Sequence, residues 1–182
     1  MGSPGLILAR RGRPAIARWP TPTTWPLCEE GRAGCARIIE RVTALKPTRA
    51  VASPEPKALQ TAQILAAPLG LEVEIDPGLH EHRRQHASFG TEEEFRESIA
   101  EALADPNKAT PGGESPHEAC LRLTEALARH QGDPLLAVTH GTVLSLYLAE
   151  KLGLDPRDLW RSLHMPDVFV LDADGALLER IS

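Results

Sequence analysis

The sequence predicts an α/β protein built on a largely parallel sheet that is covered on both faces. Three observations carry that prediction. Two short apolar runs without a polar face, Gly5–Arg10 and Leu135–Val138, read as strands buried on both sides. They alternate with longer stretches in which apolar residues recur at three- and four-residue spacings. The resulting order of strand, helix, strand, helix, strand, helices, strand, helix, hairpin is that of a chain crossing repeatedly over one sheet.

The first strand ends at Arg10-Arg11-Gly12, and the stretch from Gly12 to Pro26, with four prolines and two tryptophans, reads as a long structured loop. Leu27 to Leu45 carries Cys28, Cys35, Ile38, Ile39, Val42 and Leu45 at helical spacing, and Pro47 ends that helix. Arg49–Ala52 is a short strand. The turn Ser53-Pro54-Glu55-Pro56 feeds a helix from Lys57 to Pro68, with Gly70 at its C-cap position. Leu71–Ile75 alternates apolar and acidic residues, which places a half-exposed strand near an edge of the sheet.

Residues 79–91 hold three histidines and two arginines ahead of a charged helix, Glu92–Leu103. The segment Pro111-Gly112-Gly113-Glu114-Ser115 is a turn whose Ser115 caps a helix from Pro116 to His130, with Glu118 at the capping-box position. Leu135–Val138 runs into Thr139-His140-Gly141 and a helix through Leu152. Asp167–Leu171 and Ala176–Arg180, split by Asp172-Ala173-Asp174-Gly175, form a terminal hairpin.

A chain of 182 residues is most simply one domain over residues 1–182, large enough to bury about two-thirds of its unfolded surface. The formal charge of −5 argues against a general nucleic-acid binder, so any basic site is local. Cys28, Cys35 and Cys120 lack metal-site spacing; Cys28 and Cys35, about 10 Å apart along one helix, cannot bridge. Reduced thiols, no apolar run of about 20 residues and no leader-like N-terminus together give the expectation of a soluble cytoplasmic protein without membrane contact.

Two buried strands that end in polar residues followed by glycine, Arg10-Arg11-Gly12 and Thr139-His140-Gly141, point to one pocket if both are parallel strands of one sheet. Ser53 and Lys57, at a strand end and the next helix start, are candidates for the same anion site. Each segment alone is also explained by ordinary strand ends and caps. Their combination is more telling.

In combination they resemble the histidine phosphatase superfamily, also called phosphoglycerate mutase-like. The landmarks are Arg10-Arg11-Gly12, Leu27 and Gly31, the run Ser53, Lys57, Ala58, Gln60, Thr61, Ala62, the pair Leu79 and Glu81, Gly112–Ser115, and the apolar strand ending in His140-Gly141. The resemblance implies a three-layer α/β/α sandwich around a six-stranded, mostly parallel mixed sheet, with the site at the carboxyl ends of the parallel strands. It implies Arg10, Lys57, Ser53 and His140 as phosphate-binding residues and Glu81 as general acid, with His140 also in the catalytic set.

The same resemblance exposes a departure. The family's nucleophilic histidine falls at Arg11, and its usual arginine falls at Lys57. A guanidinium stays protonated and offers phosphorus no lone pair. Three explanations follow: a non-catalytic relative that binds a phosphorylated ligand, a chain carrying a changed residue in place of histidine, or catalysis through another nucleophile such as His140 or a histidine of residues 79–82. The expected ligand is a small phosphorylated molecule or inorganic phosphate, with no cofactor; a mutase is disfavoured by the short chain, and the oligomeric state is open. His80, His82 and His86 raise a metal site, against which stands a polar loop at the pocket mouth, so no metal is assigned. Arg83 and Arg84 could meet the far end of a ligand, Trp19 and Trp25 pack or line a cleft, Glu114 has a turn role, and His117, His130 and His164 read as surface or helix-end residues.

Overall fold

Alternation along the first strand decides how the layers assemble. In β1 (Pro4–Arg10), Ile7 and Ala9 are buried against one apolar cluster and Leu8 against another, so the strand is covered on both faces. The computed structural model describes residues 2–16, 21–84, 91–109, 112–130 and 134–182. Trp19, His86 and Pro111 lie outside the described residues.

The remaining strands and α-helices follow in order: α1 (Glu29–Ala44), β2 (Arg49–Ala52), α2 (Pro56–Ala66), β3 (Val73–Ile75), α3 (Glu92–Ala102), α4 (Pro116–Arg129), β4 (Leu135–Thr139), α5 (Gly141–Leu152), α6 (Pro156–Ser162), β5 (Asp167–Asp172) and β6 (Leu177–Ile181). The six strands form one mixed sheet in the order β3-β2-β4-β1-β5-β6. The pairs β2–β3, β2–β4 and β1–β4 are parallel, while β5 runs antiparallel to β1 and to β6. Cys35, Ile38 and Val42 of α1 and Ala58, Ala62 and Leu65 of α2 cover one face; Ile99 of α3, Leu123 of α4, Leu144 and Leu148 of α5 and Leu159 of α6 belong to the cluster on the other. The expected three-layer α/β/α sandwich with a six-stranded sheet is present.

Local chemistry accounts for the element ends. Helix α1 starts two residues later than its apolar period suggests because Leu27 is held extended in an isolated bridge with Pro14, and Cys28 becomes the cap. The last strand of the first half is shorter than expected: the Leu71 amide is spent on the Ala66 carbonyl, closing α2 after Gly70 in the left-handed conformation (φ 64°). Ser115 and Glu118 form the full capping box on α4. Helix α6, absent from the expected order, begins at Asp155, whose carboxylate accepts the Arg157 and Asp158 amides, with Pro156 in the first turn. No helix among the described residues is long and apolar enough to cross a membrane.

Candidate functional site

Strand β4 lies between β1 and β2, all three parallel, so their carboxyl ends open on one side of the sheet. The Arg10 backbone is in register with Thr139, the Arg11 amide donates to the Thr139 carbonyl at 2.9 Å, and the Ser53 amide donates to the Val138 carbonyl at 3.1 Å. These contacts bring Arg10, Arg11, Ser53 and His140 to one place. Two residues of α2 tie the surrounding loops down: Thr61 Oγ1 accepts the Gly12 amide at 3.0 Å, and Gln60 Oε1 accepts the Leu27 amide at 2.8 Å.

Arg10 shares its strand face with Leu8 and so points toward α5. Its Nη1 donates to the Leu163 and His164 carbonyls at 3.0 and 3.1 Å. Its guanidinium lies against Gly141, where a Cβ would come within 2.8 Å of Nε; only glycine fits there without displacing the arginine. Burial, with the like charge of Arg11, lowers the Arg10 pKa to about 9, against the pull of Glu81 and Asp167. It stays cationic at neutral pH. Arg11 Nη1 donates to its neighbour's carbonyl, Gly12 O, at 3.1 Å and lies 3.0 Å from Met165 Sδ. Burial lowers its pKa too, opposed by the charges of Glu81 and Glu55.

Glu81 sits at the N-terminus of α5. Its carboxylate accepts the amides of His82 (2.8 Å), Val143 (3.0 Å) and Thr142 (3.1 Å). Burial by itself would raise its pKa, but the charge that His140 acquires in acid, these donors and Arg84 outweigh it and bring the carboxyl to about 2. In this arrangement Glu81 is ionised at neutral pH and carries no proton to give.

His140 is fully buried, with Nε2 2.8 Å from Ser53 Oγ and 3.3 Å from Glu55 Oε1. Burial pulls its pKa down to about 4, more than the two glutamates raise it. Its Nε2 therefore engages the Ser53 hydroxyl beside the Glu55 carboxylate, and its Nδ1 is buried without a hydrogen-bond partner among the described residues.

Sequence reasoning missed Glu55. Its carboxylate takes the Lys57 ammonium at 2.5 Å on one oxygen and the Glu81 amide at 3.1 Å on the other, beside His140. Burial pushes its pKa up, yet His140, Lys57 and the Glu81 amide together bring it below the ordinary carboxylate value. The Lys57 Nζ also donates to the Pro22 carbonyl at 2.7 Å, and burial lowers its pKa against the pull of Glu55. An acid two residues before the buried lysine, flanked by prolines, was the available signal.

The remaining candidates sit farther out. His80 Nδ1 meets the Glu81 carbonyl and His82 Nε2 the Glu114 carbonyl, so both rings engage backbone, and no metal-holding group is present among the described residues. Glu114 is bound by Arg122 and by the Arg83 amide. Half-buried Arg84 lies over the Phe95 ring, 5.9 Å from its centroid, and shares the field of Glu81. Trp25 is buried, its carbonyl accepting the Lys57 amide. His130 ends α4 but is paired with Asp76 at 2.8 Å, and the exposed His164 side chain lies 3.7 Å from Asp167.

Residues 6–175 match the model of the histidine phosphatase superfamily (branch 1). The chain belongs to that superfamily. It is 31% identical over 140 residues to a probable phosphoglycerate mutase of Enterobacter sp. (strain 638), an alignment covering 71% of this chain and 64% of the relative. This chain therefore spans less than two-thirds of that relative. A second probable phosphoglycerate mutase, of Erwinia tasmaniensis (strain DSM 17950 / CFBP 7177 / CIP 109463 / NCPPB 4357 / Et1/99), is 28% identical over 159 residues, covering 81% and 73%.

Among solved structures, a mycobacterial glucosyl-3-phosphoglycerate phosphatase superposes with a TM-score of 0.73 at 21% identity, covering 95% of this chain and 96% of that one. The same phosphatase has been solved with inorganic phosphate, with a TM-score of 0.68 at 22% identity over 92% and 84%. A putative alpha-ribazole-5'-P phosphatase from Escherichia coli (str. K-12 substr. MG1655) superposes at 0.71 with 20% identity over 97% and 95%. These likenesses establish the fold.

Proposed function

We propose that this chain binds a phosphate monoester, or inorganic phosphate, at the carboxyl ends of β1, β2 and β4, and does not hydrolyse it through a phosphohistidine. The observation that carries the reading is Arg11: the first position after β1 presents a guanidinium, hydrogen-bonded through Nη1, where the superfamily chemistry needs an imidazole. Among the described residues, Arg10, Arg11, Lys57 and Arg84 place four cations around the carboxylates Glu55 and Glu81, with Asp167 acting on Arg10 and His140 uncharged, so cations outnumber carboxylates there. Such a field favours an oxyanion. The state of Glu81 supports binding over turnover, because a carboxyl held near a pKa of about 2 is a poor proton donor to a leaving alkoxide.

His140 as a substitute nucleophile is less favoured, since its Nε2 is engaged by Ser53 beside Glu55 and its Nδ1 is enclosed. Relatives described as probable phosphoglycerate mutases and as phosphatases make a phosphorylated three-carbon acid or its glycoside a reasonable first ligand panel.

The test pairs binding with turnover. Calorimetric titration with inorganic phosphate is expected to show saturable binding to the unaltered chain, which should turn over p-nitrophenyl phosphate no faster than background. The Arg11→His variant should gain turnover and a trapped phosphohistidine, because the loss of a covalent nucleophile costs several orders of magnitude in rate. Substantial hydrolysis by the unaltered chain would overturn the reading.

A further inference from the structure

Glu55 occupies the donors that an oxyanion in this site would need. Its Oε2 is 2.5 Å from Lys57 Nζ, its Oε1 is 3.3 Å from His140 Nε2, and the same Oε1 accepts the Glu81 amide at 3.1 Å. The carboxylate is nine-tenths buried and the lysine more so, so this is an enclosed pair and not a solvated surface bridge. Both partners come from the turn that leads into α2 and from its first residues; Ser53 Oγ accepts the Glu55 amide at 3.3 Å and contacts His140 at 2.8 Å. The turn therefore presents an anion and a cation together, facing the end of β4.

From this we infer that Glu55 is a specificity-determining residue, a resident anion that an incoming phosphate must displace from Lys57 and His140. The inference rests on the proposed phosphate-binding reading and adds to it. Among the described residues, Lys57 is neutralised at hydrogen-bond contact by a carboxylate two residues before it. Arg10 Nη1 is held by two uncharged carbonyls, and Arg11 Nη1 by a carbonyl and a thioether. A dianion entering beside Lys57 and Arg11, whose charges already feel one another, gains the arginine field but meets Glu55 at close range, where like charges repel strongly in an enclosed site. The consequence is a site tuned to release its ligand readily, with Lys57 available only after Glu55 moves.

The experiment is a titration of inorganic phosphate at one fixed neutral pH into the unaltered chain, Glu55→Gln and Glu55→Asp, with folding of each checked by circular dichroism. Gln keeps an acceptor for the Glu81 amide while removing the charge. Asp keeps the charge but withdraws it by one methylene from Lys57, and serves if the Gln variant does not fold. Phosphate affinity is expected to rise about tenfold in Glu55→Gln and about threefold in Glu55→Asp. Equal or weaker affinity in the variants, with the unaltered chain binding, overturns the role of Glu55 and leaves the site reading standing. Absence of phosphate binding in all three chains overturns both.

Discussion

Two buried groups of the site, His140 and Glu81, are each held in the form that burial and their partners prefer, and both make the fold sensitive to acid in the same direction. His140 is kept neutral, with a pKa pulled from 6.5 to about 4, so the unfolded chain binds its proton first. The stability from neutral His140 is present above pH 6.5 and lost as pH falls from there toward about 4. Glu81 is kept ionised, its pKa drawn from 4.5 to about 2, so its contribution is present above pH 4.5 and lost as pH falls toward about 2. Each depression is worth up to roughly 3 kcal/mol. Urea unfolding of the unaltered chain at a series of pH values should therefore show two successive losses, the first absent in His140→Asn and the second reduced in Glu81→Gln. A stability profile flat between pH 6.5 and 4.5 would contradict the buried neutral imidazole.

At the scale of elements, the site depends on how closely helix ends approach strand ends. A Cβ at Gly31, in the first turn of α1, would lie 2.2 Å from the Arg13 carbonyl oxygen, a backbone atom that cannot swing aside. Gly31→Ala gains about 1 kcal/mol of helix propensity, but the clash costs about 1–3 kcal/mol or more, so a net loss is expected as a fall in the melting temperature. The loop from Gly12 to Pro14 should be displaced with it, lowering phosphate affinity. This contact gives a physical meaning to the Leu27 and Gly31 spacing. The landmarks read from sequence divide by role: Arg10, Lys57, Ser53 and His140 reach the site, whereas Gln60 and Thr61 serve it by holding Leu27 and Gly12 in place. Strong periodicity made the long helices legible, and the buried runs made β1 and β4 legible. Helix α6 was missed because a seven-residue helix with one buried side chain leaves almost no period, although Asp155-Pro156 marked its start. Glu55 was missed for a different reason: its importance lies in contacts with His140 and Glu81, residues distant in the chain, that no local pattern records.

Across the whole molecule, the antiparallel edge of the sheet holds the parallel half's arginine in place. Asp167, at the start of β5, is fully buried and takes the Arg180 guanidinium of β6 through both oxygens, at 3.1 and 2.6 Å. It also accepts the His164 amide at 2.9 Å, and Arg180 Nη2 donates to the Ser162 carbonyl at 2.6 Å. The segment between α6 and β5 is thus pinned at both ends, and its Leu163 and His164 carbonyls are the acceptors of Arg10. Removing Arg180 leaves a buried carboxylate without its cation. Arg180→Met should therefore cost roughly 3 kcal/mol, near the low end for a broken buried pair because the arginine is 31% exposed. Since the Arg10 acceptors shift with the segment, the same variant should weaken phosphate binding, although Arg180 stands on an edge strand, beyond β5 from the site. Pairing it with Asp167→Asn removes the stranded charge while keeping an acceptor for the His164 amide. The double variant is expected to recover most of the stability and of the affinity, as read by denaturant unfolding and phosphate titration. Stability restored without affinity would separate the ion pair from the placement of Arg10, and the link between the sheet edge and the site would then fail.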